Sequence, residues 1–222
     1  MKRNSSVLVG ISLCAALYAV GTTLLAAWQG GAQDQAVKAL EERALRNGGQ
    51  LAQQFAADRS VVCSNLQELA RRSPIVVIGT TLRHRSRLTP DAKCVNSDFA
   101  VSVQEVLKGQ LRPGSVITVS LPGGGHRFPD GASVFFYPSN YRLTINDRVY
   151  AFFLRAGGKD TLGRGPLYEL ALGVQGQFEL DRGTGMVIPS VRMPNDPIAT
   201  RYKDMAITRY LLELHQAVGK RK

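Results

Sequence analysis

The chain has few of the residues that build metal centres or disulfide scaffolds. It contains three cysteines and three histidines among 222 residues. A cysteine-rich scaffold needs several cysteine pairs, and a metal centre needs clustered His, Cys or carboxylate side chains. Glycine and proline are close to average usage, which also excludes a disordered or collagen-like chain. We therefore expect one folded domain that holds neither a metal nor a cofactor.

Catalytic motifs are missing as well. The chain lacks the Gly-x-Ser-x-Gly elbow of hydrolases, the His-Glu-x-x-His zinc motif, Cys-x-x-Cys and a phosphate-binding Gly-x-x-x-x-Gly-Lys loop. The histidines are His84, His126 and His215, and nothing in the sequence brings them together. The sequence therefore predicts a non-enzymatic protein.

Charge is absent from a long segment near the N-terminus. The run from Val7 to Trp28 is 22 residues long and contains no charged side chain. As a helix it would span about 33 Å, close to the roughly 30 Å of a bilayer's hydrocarbon core. Lys2 and Arg3 precede it, so the positive-inside rule predicts a cytoplasmic N-terminus and a body on the far side of the membrane.

A cleaved signal peptide is the alternative for residues 1–32. Gly30, Gly31 and Ala32 are the small residues that a signal peptidase requires, and cleavage after Ala32 would give a secreted protein. Signal-peptide cores usually have about 7 to 15 apolar residues, fewer than this run, which favours a retained anchor. Both interpretations place the body in the periplasm or outside the cell.

That compartment permits disulfides, and two cysteines, Cys63 and Cys94, lie beyond the apolar run. We expect them to pair, because closing this loop would stabilise the fold by about 3 to 4 kcal/mol. Two buried free thiols are the alternative.

Residues 33–73 have the composition of a helical stalk. Their apolar residues recur at spacings of three, four or seven, with a predicted break near Asn47–Gly49 and a second helix that ends near Arg72. Packing of this stripe onto the chain's own domain is the preferred interpretation, and self-association is the alternative. The stripe consists of Val37, Leu40, Ala44, Leu51, Phe55, Val62, Leu66 and Leu69.

Residues 74–192 have the pattern of short strands. Apolar runs, several of them alternating with polar residues, are separated by turn residues without any crossover helix. This order predicts an antiparallel barrel or sandwich. A glycine-rich loop is expected over Pro122–Gly131. The predicted strands lie at Ile75–Ile78, Phe99–Lys108, Ile117–Leu121, Val134–Tyr137, Val149–Leu154, Tyr168–Leu172, Gln177–Leu180 and Met186–Ile188.

Residues 193–222 are predicted to end the chain in one helix. Asp196 suits its N-cap and Pro197 its first position, while Gly219 ends it before the basic tail Lys220–Lys222. Two adjoining apolar stripes on this helix predict that it packs on the barrel.

A resemblance to a known family is carried by the segments Leu66–Gly79, Phe99–Gly109, Val119–Gly124, Arg148–Leu154 and Gly176–Phe178. Over about half of its length the chain resembles bacterial exported domains similar to tissue inhibitor of metalloproteinases. The resemblance implies a mainly β, netrin-like fold: a small OB-like barrel of five or six strands with flanking helices. The inhibitors place an N-terminal cysteine on the protease zinc. This chain has no such cysteine after either predicted start, so inhibition is not implied.

Basic residues outnumber acidic ones, and the net charge is +11. Arg83, Arg85 and Arg87 occupy alternate positions after the first predicted strand, so they share one face if that strand continues. They predict a basic surface for anionic lipid headgroups, an acidic partner or a polyanionic sugar. A solvated face that aids solubility is the alternative.

The glycine-rich loop is the second candidate binding surface. Its three glycines allow a ligand to approach the backbone closely, and His126, Arg127 and Phe128 offer polar and aromatic contacts. A flexible hairpin connection is the alternative.

Three functional hypotheses follow. The leading one is a membrane-anchored, non-enzymatic protein whose barrel docks on a partner protein as an accessory subunit of a membrane complex. The second is an exported module that binds a polyanion, an oligosaccharide or a lipid headgroup through the arginines and the loop. The third is a hydrolase that uses His126 with a nearby Ser or Asp. OB-like barrels often bind nucleic acid, but the predicted compartment argues against that partner.

Overall fold

The computed structural model describes residues 33–56, 62–89, 91–159 and 165–219. The predicted segment 1–32, with its apolar run, and the basic tail Lys220–Lys222 lie outside these residues. Within the described ranges, no helix combines the length and the apolar composition that a membrane crossing requires.

Ten strands and four α-helices make up the described part of the chain. The strands are β1 (Gln50–Phe55), β2 (Ile75–Leu88), β3 (Val95–Lys108), β4 (Val116–Pro122), β5 (Gly124–Arg127), β6 (Ser133–Pro138), β7 (Val149–Lys159), β8 (Pro166–Leu170), β9 (Gln177–Asp181) and β10 (Met186–Pro189). The helices are α1, described over residues 33–46, α2 (Leu66–Arg72), α3 (Pro197–Tyr202) and α4 (Ile207–Ala217). A short 3-10 helix covers Gly173–Gly176.

Five strands form a closed ring. β2 pairs with β3, β3 with β4, β4 with β8, β8 with β7, and β7 pairs back with β2. Only the β4–β8 pair in this ring is parallel. The predicted mainly β fold is therefore confirmed. Apolar side chains from alternate strand positions fill the interior: Val77, Phe99, Val101, Val103, Ile117, Val119, Leu121, Tyr150, Phe152, Leu154, Tyr168 and Leu170.

Two further strands and three helices cover one outer side of the ring. β9 pairs with β7, and β10 pairs with β9. α2, α3 and α4 pack against these strands in a second core, where Phe178 lies among three other rings. Its ring centroid lies 5.8 Å from that of Phe153, 6.1 Å from that of Tyr202 and 5.2 Å from that of Tyr210.

A three-stranded sheet of order β1-β6-β5 forms a third core with α1. Leu40 and Ala44 of α1 pack with Val134 and Phe136 of β6, so the predicted packing of the apolar stripe onto the chain's own domain is confirmed for α1. The helix predicted after the break is wrong over Gln50–Phe55. These residues form β1, because parallel pairing with β6 overrides their helical spacing.

The C-terminal segment forms two helices instead of the single predicted one. α3 ends at Tyr202, and Asp204 then adopts a left-handed conformation with a φ of 58°. The break is held by β10: the Val187 N–H donates to the Met205 carbonyl with an N···O distance of 2.8 Å, and the Asp204 N–H donates to the Val187 carbonyl at 3.1 Å. These long-range hydrogen bonds interrupt the helical pattern.

Three distant segments meet at the buried Asp196 carboxylate. Its Oδ1 accepts hydrogen bonds from the Ile198 and Ala199 N–H groups at 2.9 Å each, which confirms the predicted N-cap of α3. Its Oδ2 accepts one from the Gln175 amide nitrogen at 2.8 Å. The Gln175 side chain also accepts from the Cys63 N–H at 2.7 Å and donates to the Cys63 carbonyl at 3.3 Å.

The predicted disulfide is not formed, because Cys63 and Cys94 are both free. Cys63 is buried in the core under α2, where Gln175 holds its backbone. Cys94 precedes β3, and its Sγ donates to the Val95 carbonyl. Val95 belongs to the separate core of the small sheet. Burial raises the pKa of both thiols, so both are protonated at neutral pH.

Asp196→Ala is expected to lower the free energy of unfolding by about 2 to 3 kcal/mol, because it removes the cap of α3 and leaves the buried Gln175 amide without this partner. Asp196→Asn keeps an acceptor for the helix N–H groups and should cost less. Urea denaturation of both variants measures the difference. Equal losses would show that the cap contributes nothing.

Candidate functional site

The predicted arginine stripe is only partly free. Arg83 and Arg85 are exposed on β2 and form no ion pair with a described residue. Arg87 differs, because its Nε lies 2.9 Å from an Asp98 carboxylate oxygen on the neighbouring strand. Two of the three arginines therefore offer unpaired charge, while the third is held within the β2–β3 pair.

The expected glycine-rich loop contains a strand, because Gly124–Arg127 pairs with β6 as β5. Gly124 has a φ of 128°, and a Cβ there would come within 2.9 Å of the Ser86 hydroxyl on β2. A glycine is therefore needed at position 124 because β5 lies close to β2 there, and not because a ligand approaches the backbone.

The three residues predicted to bind at this loop have different environments. Phe128 is buried in the core of the small sheet. His126 packs edge-on against it, with ring centroids 4.9 Å apart, and burial lowers the pKa of His126. Arg127 is exposed. Phe128 is therefore a structural residue, and Arg127 is the exposed member of the set.

Within the described residues, none of the three histidines is hydrogen-bonded to a serine, threonine or cysteine side chain that could act as a nucleophile. His126 forms no hydrogen bond with a described Ser or Asp side chain. His84 stacks on Phe99, and the His215 Nε2 lies 3.5 Å from the Glu105 carboxylate. The three rings thus have separate neighbours. Among the described residues, no group of three or more His, Cys, Asp or Glu side chains is placed to hold a metal ion.

An aromatic surface lies on the side of the small sheet away from α1. Side chains alternate along β6: Val134 and Phe136 are buried, whereas Phe135 is 44% and Tyr137 is 37% exposed. The ring centroids of Phe135 and Tyr137 lie 6.4 Å apart, and their planes differ by 20°. The two rings therefore stand together on the outer face.

The strand register surrounds these rings with small and polar residues. Phe135 lies between Ala52 of β1 and Gly125 of β5, and Tyr137 lies opposite Gln54. A Cβ at Gly125 would touch the Phe135 ring at 3.4 Å, so the ring packs against the strand beside it. We define the open face as Gln50, Ala52, Gln54, Gly125, Arg127, Ser133, Phe135 and Tyr137.

The open face has the composition of a protein interface. It has an aromatic centre, a rim of amide, hydroxyl and guanidinium groups, and no carboxylate. Part of it forms a groove of about 440 Å³. β1 is also an edge strand of this sheet, so one row of its backbone groups is not paired within the sheet. Such a surface can bind another polypeptide.

The open face could not be predicted from the sequence. Val134–Tyr137 is a run of four apolar or aromatic residues, and such a run does not show which side chains point outward. The outward side is decided by α1, which covers Val134 and Phe136 from a distant part of the chain.

Comparison of the chain with protein-family models found no match, and comparison with curated proteins found none either.

Proposed function

We propose that this chain is a non-enzymatic docking module that binds a partner protein through the open face. The observation that carries this proposal is the exposure of Phe135 and Tyr137 on a sheet whose other face is already covered by α1. Aromatic side chains that stand on a packed base are common anchors of protein interfaces.

The chemistry of the open face supports a polypeptide as the occupant. Burying apolar surface of the two rings contributes roughly 25 cal/mol for each Å² removed from water. The surrounding Gln50, Gln54 and Ser133 side chains supply donors and acceptors for the rim of an interface. Arg127 is the only charged residue of this face, which favours a partner with acidic side chains beside its apolar contact.

The proposed location of the module follows from the apolar run. With residues 7–28 as an anchor, the body would lie in the periplasm or outside the cell, and the module would be an accessory subunit of a membrane complex. The uncharged run and the preceding Lys2 and Arg3 support this proposal. Cleavage after Ala32 would leave the docking face on a secreted protein.

The closed ring is proposed to be an OB-like barrel. Its order β2-β3-β4-β8-β7, with one parallel pair, agrees with a five-stranded Greek-key barrel. This arrangement supports the resemblance to exported domains similar to tissue inhibitor of metalloproteinases.

Photo-crosslinking tests the docking face. We expect a photoreactive phenylalanine derivative at Tyr137, in the full chain in native membranes, to give one discrete adduct. The same residue at Val116 is the control, because Val116 is 60% exposed but lies on β4, away from the open face. Phe135→Glu should lower the yield from Tyr137 about tenfold, because docking would bury a carboxylate.

Equal adduct yields from Tyr137 and Val116 would contradict the proposal, as would a yield from Tyr137 that Phe135→Glu leaves unchanged. Phe135→Gln is a matched polar substitution without charge and should give an intermediate yield.

A further inference from the structure

A groove lined by three cations lies on a part of the molecule separate from the open face. Its volume is about 350 Å³, and Arg142, Arg192 and Lys203 contribute its charged groups. Apolar side chains, among them Ile188 and Val191, form much of the remaining wall. We call this site the basic groove.

Backbone pairing brings the two arginines of the basic groove together. Tyr141 and Val191 form an isolated antiparallel bridge. Next to it, the Arg142 N–H donates to the Ser190 carbonyl at 2.7 Å, and the Arg192 N–H donates to the Asn140 carbonyl at 2.8 Å. The backbones of Arg142 and Arg192 are therefore held in fixed positions relative to each other.

Lys203 enters the groove from the end of α3. It is the C-cap residue of that helix, and its N–H donates to the Ala199 carbonyl at 3.0 Å. Ala199 itself belongs to the wall. The ammonium group is thus attached to a segment that packs against the same groove as the two arginines.

No carboxylate lines the basic groove, and none of its three cations forms an ion pair with a described residue. The buried acid nearby in sequence, Asp196, has its carboxylate engaged by the α3 N–H groups and by Gln175. Arg142 is half-buried, so its charge is less screened by solvent than that of an exposed arginine. A bound anion would compensate this charge.

We propose that the basic groove binds a phosphate monoester whose organic part is apolar. Three positive charges suit a dianion better than a single carboxylate, and guanidinium groups match phosphate oxygens with paired hydrogen bonds. The apolar wall would hold the organic part, and the groove has the size of a small-molecule site. This inference does not depend on the docking face.

Isothermal titration of the full chain in an uncharged detergent tests the inference, with inorganic phosphate and butyl phosphate as probes. Each methylene group that contacts the wall is expected to tighten binding about fourfold. Butyl phosphate should therefore bind at least about tenfold more tightly than inorganic phosphate. Arg142→Ala and Arg192→Ala should each weaken it about tenfold or more, because each removes a charged hydrogen-bond donor.

Arg112→Ala is the matched control, since Arg112 is an exposed arginine outside the groove, and it should leave the affinity within about twofold. Without ligand, Arg192→Ala should unfold at a urea concentration close to that of the unchanged chain, because Arg192 is exposed and forms no ion pair with a described residue. A weakened affinity in that variant then cannot be assigned to loss of folding.

Dihexanoyl phosphatidic acid distinguishes the two sources of this chemistry. Competition with butyl phosphate would identify a lipid headgroup as the ligand, and binding of butyl phosphate without such competition would identify a soluble phosphate ester. Both outcomes support the inference. The absence of saturable butyl phosphate binding would overturn it, as would equal affinity for both phosphates or unchanged affinity in both arginine variants.

Discussion

Phe178→Ala is expected to lower the free energy of unfolding by roughly 3 to 5 kcal/mol. Phe178 is fully buried on β9, and the rings that surround it come from β7, α3 and α4. Deleting its ring leaves a cavity that these elements cannot fill without moving apart, and it also removes favourable edge-to-face contacts. Urea denaturation followed by circular dichroism measures the loss.

Phe135→Ala is the matched control, since it removes the same side chain from the open face. We expect a much smaller loss of about 1 kcal/mol, because the Phe135 ring is 44% exposed and its removal leaves no enclosed cavity. Similar losses at Phe178 and Phe135 would contradict the assignment of Phe135 to a binding surface. A small loss would also show that crosslinking changes in Phe135 variants are not caused by unfolding.

The second large effect is alkaline unfolding. Burial raises the pKa of Tyr150 to about 12, and it also raises the pKa of Tyr141, Tyr202 and Tyr210. Tyrosines in the unfolded chain lose their protons near pH 10. The folded state therefore keeps protons that the unfolded state releases, so stability is complete below about pH 10 and falls as the pH rises towards 12.

Tyr150 alone accounts for about 2.3 kcal/mol of this loss at pH 12 and approaches about 2.7 kcal/mol at still higher pH, because each pKa unit corresponds to about 1.36 kcal/mol. Urea denaturation at a series of pH values, with tyrosinate absorbance as a second signal, measures it. Tyr150→Phe should make the pH dependence in this window less steep by the share of Tyr150, since the variant has no phenol at this position, while the other three tyrosines keep their contributions. An unfolding free energy that stays constant across the window would disprove the prediction.

Several strands of the ring could be predicted from the sequence because they are defined locally, whereas β2 continues to Leu88 and the parallel β4–β8 pair that closes the ring has no local signal. Alternation at Phe99, Val101 and Val103 and the turn around Gly114 predict the β3–β4 hairpin, which the structure contains. Later strands were predicted within a few residues of their observed bounds, although β7 continues to Lys159. The alternation of apolar and polar residues predicts these strands, because one face of each strand is buried in the ring.

The elements that were mispredicted depend on partners far along the chain. Residues Gln50–Phe55 have helical spacing, but β6 turns them into a strand. The C-terminal helix breaks where β10 binds the backbone around Asp204. In both cases a long-range hydrogen-bond ladder outweighs a local preference of at most about 1 kcal/mol per residue.

The exact membership of the candidate sites could not be predicted from the sequence for the same reason. The arginine stripe was visible because Arg83, Arg85 and Arg87 are close in sequence, yet Asp98 on β3 neutralises its last member. The basic groove combines Arg142 and Arg192 through the Tyr141–Val191 bridge, and no sequence spacing reveals that contact.

The position of β8 in the ring has a consequence for how the chain is made. β8 joins β4 to β7, so a polypeptide synthesised from its N-terminus keeps β4 with an unprotected edge until Pro166–Leu170 has emerged. Open edges recruit other strands, and a stalled or shortened chain would therefore aggregate. A stop codon before Pro166 would thus yield an insoluble fragment in place of a smaller barrel.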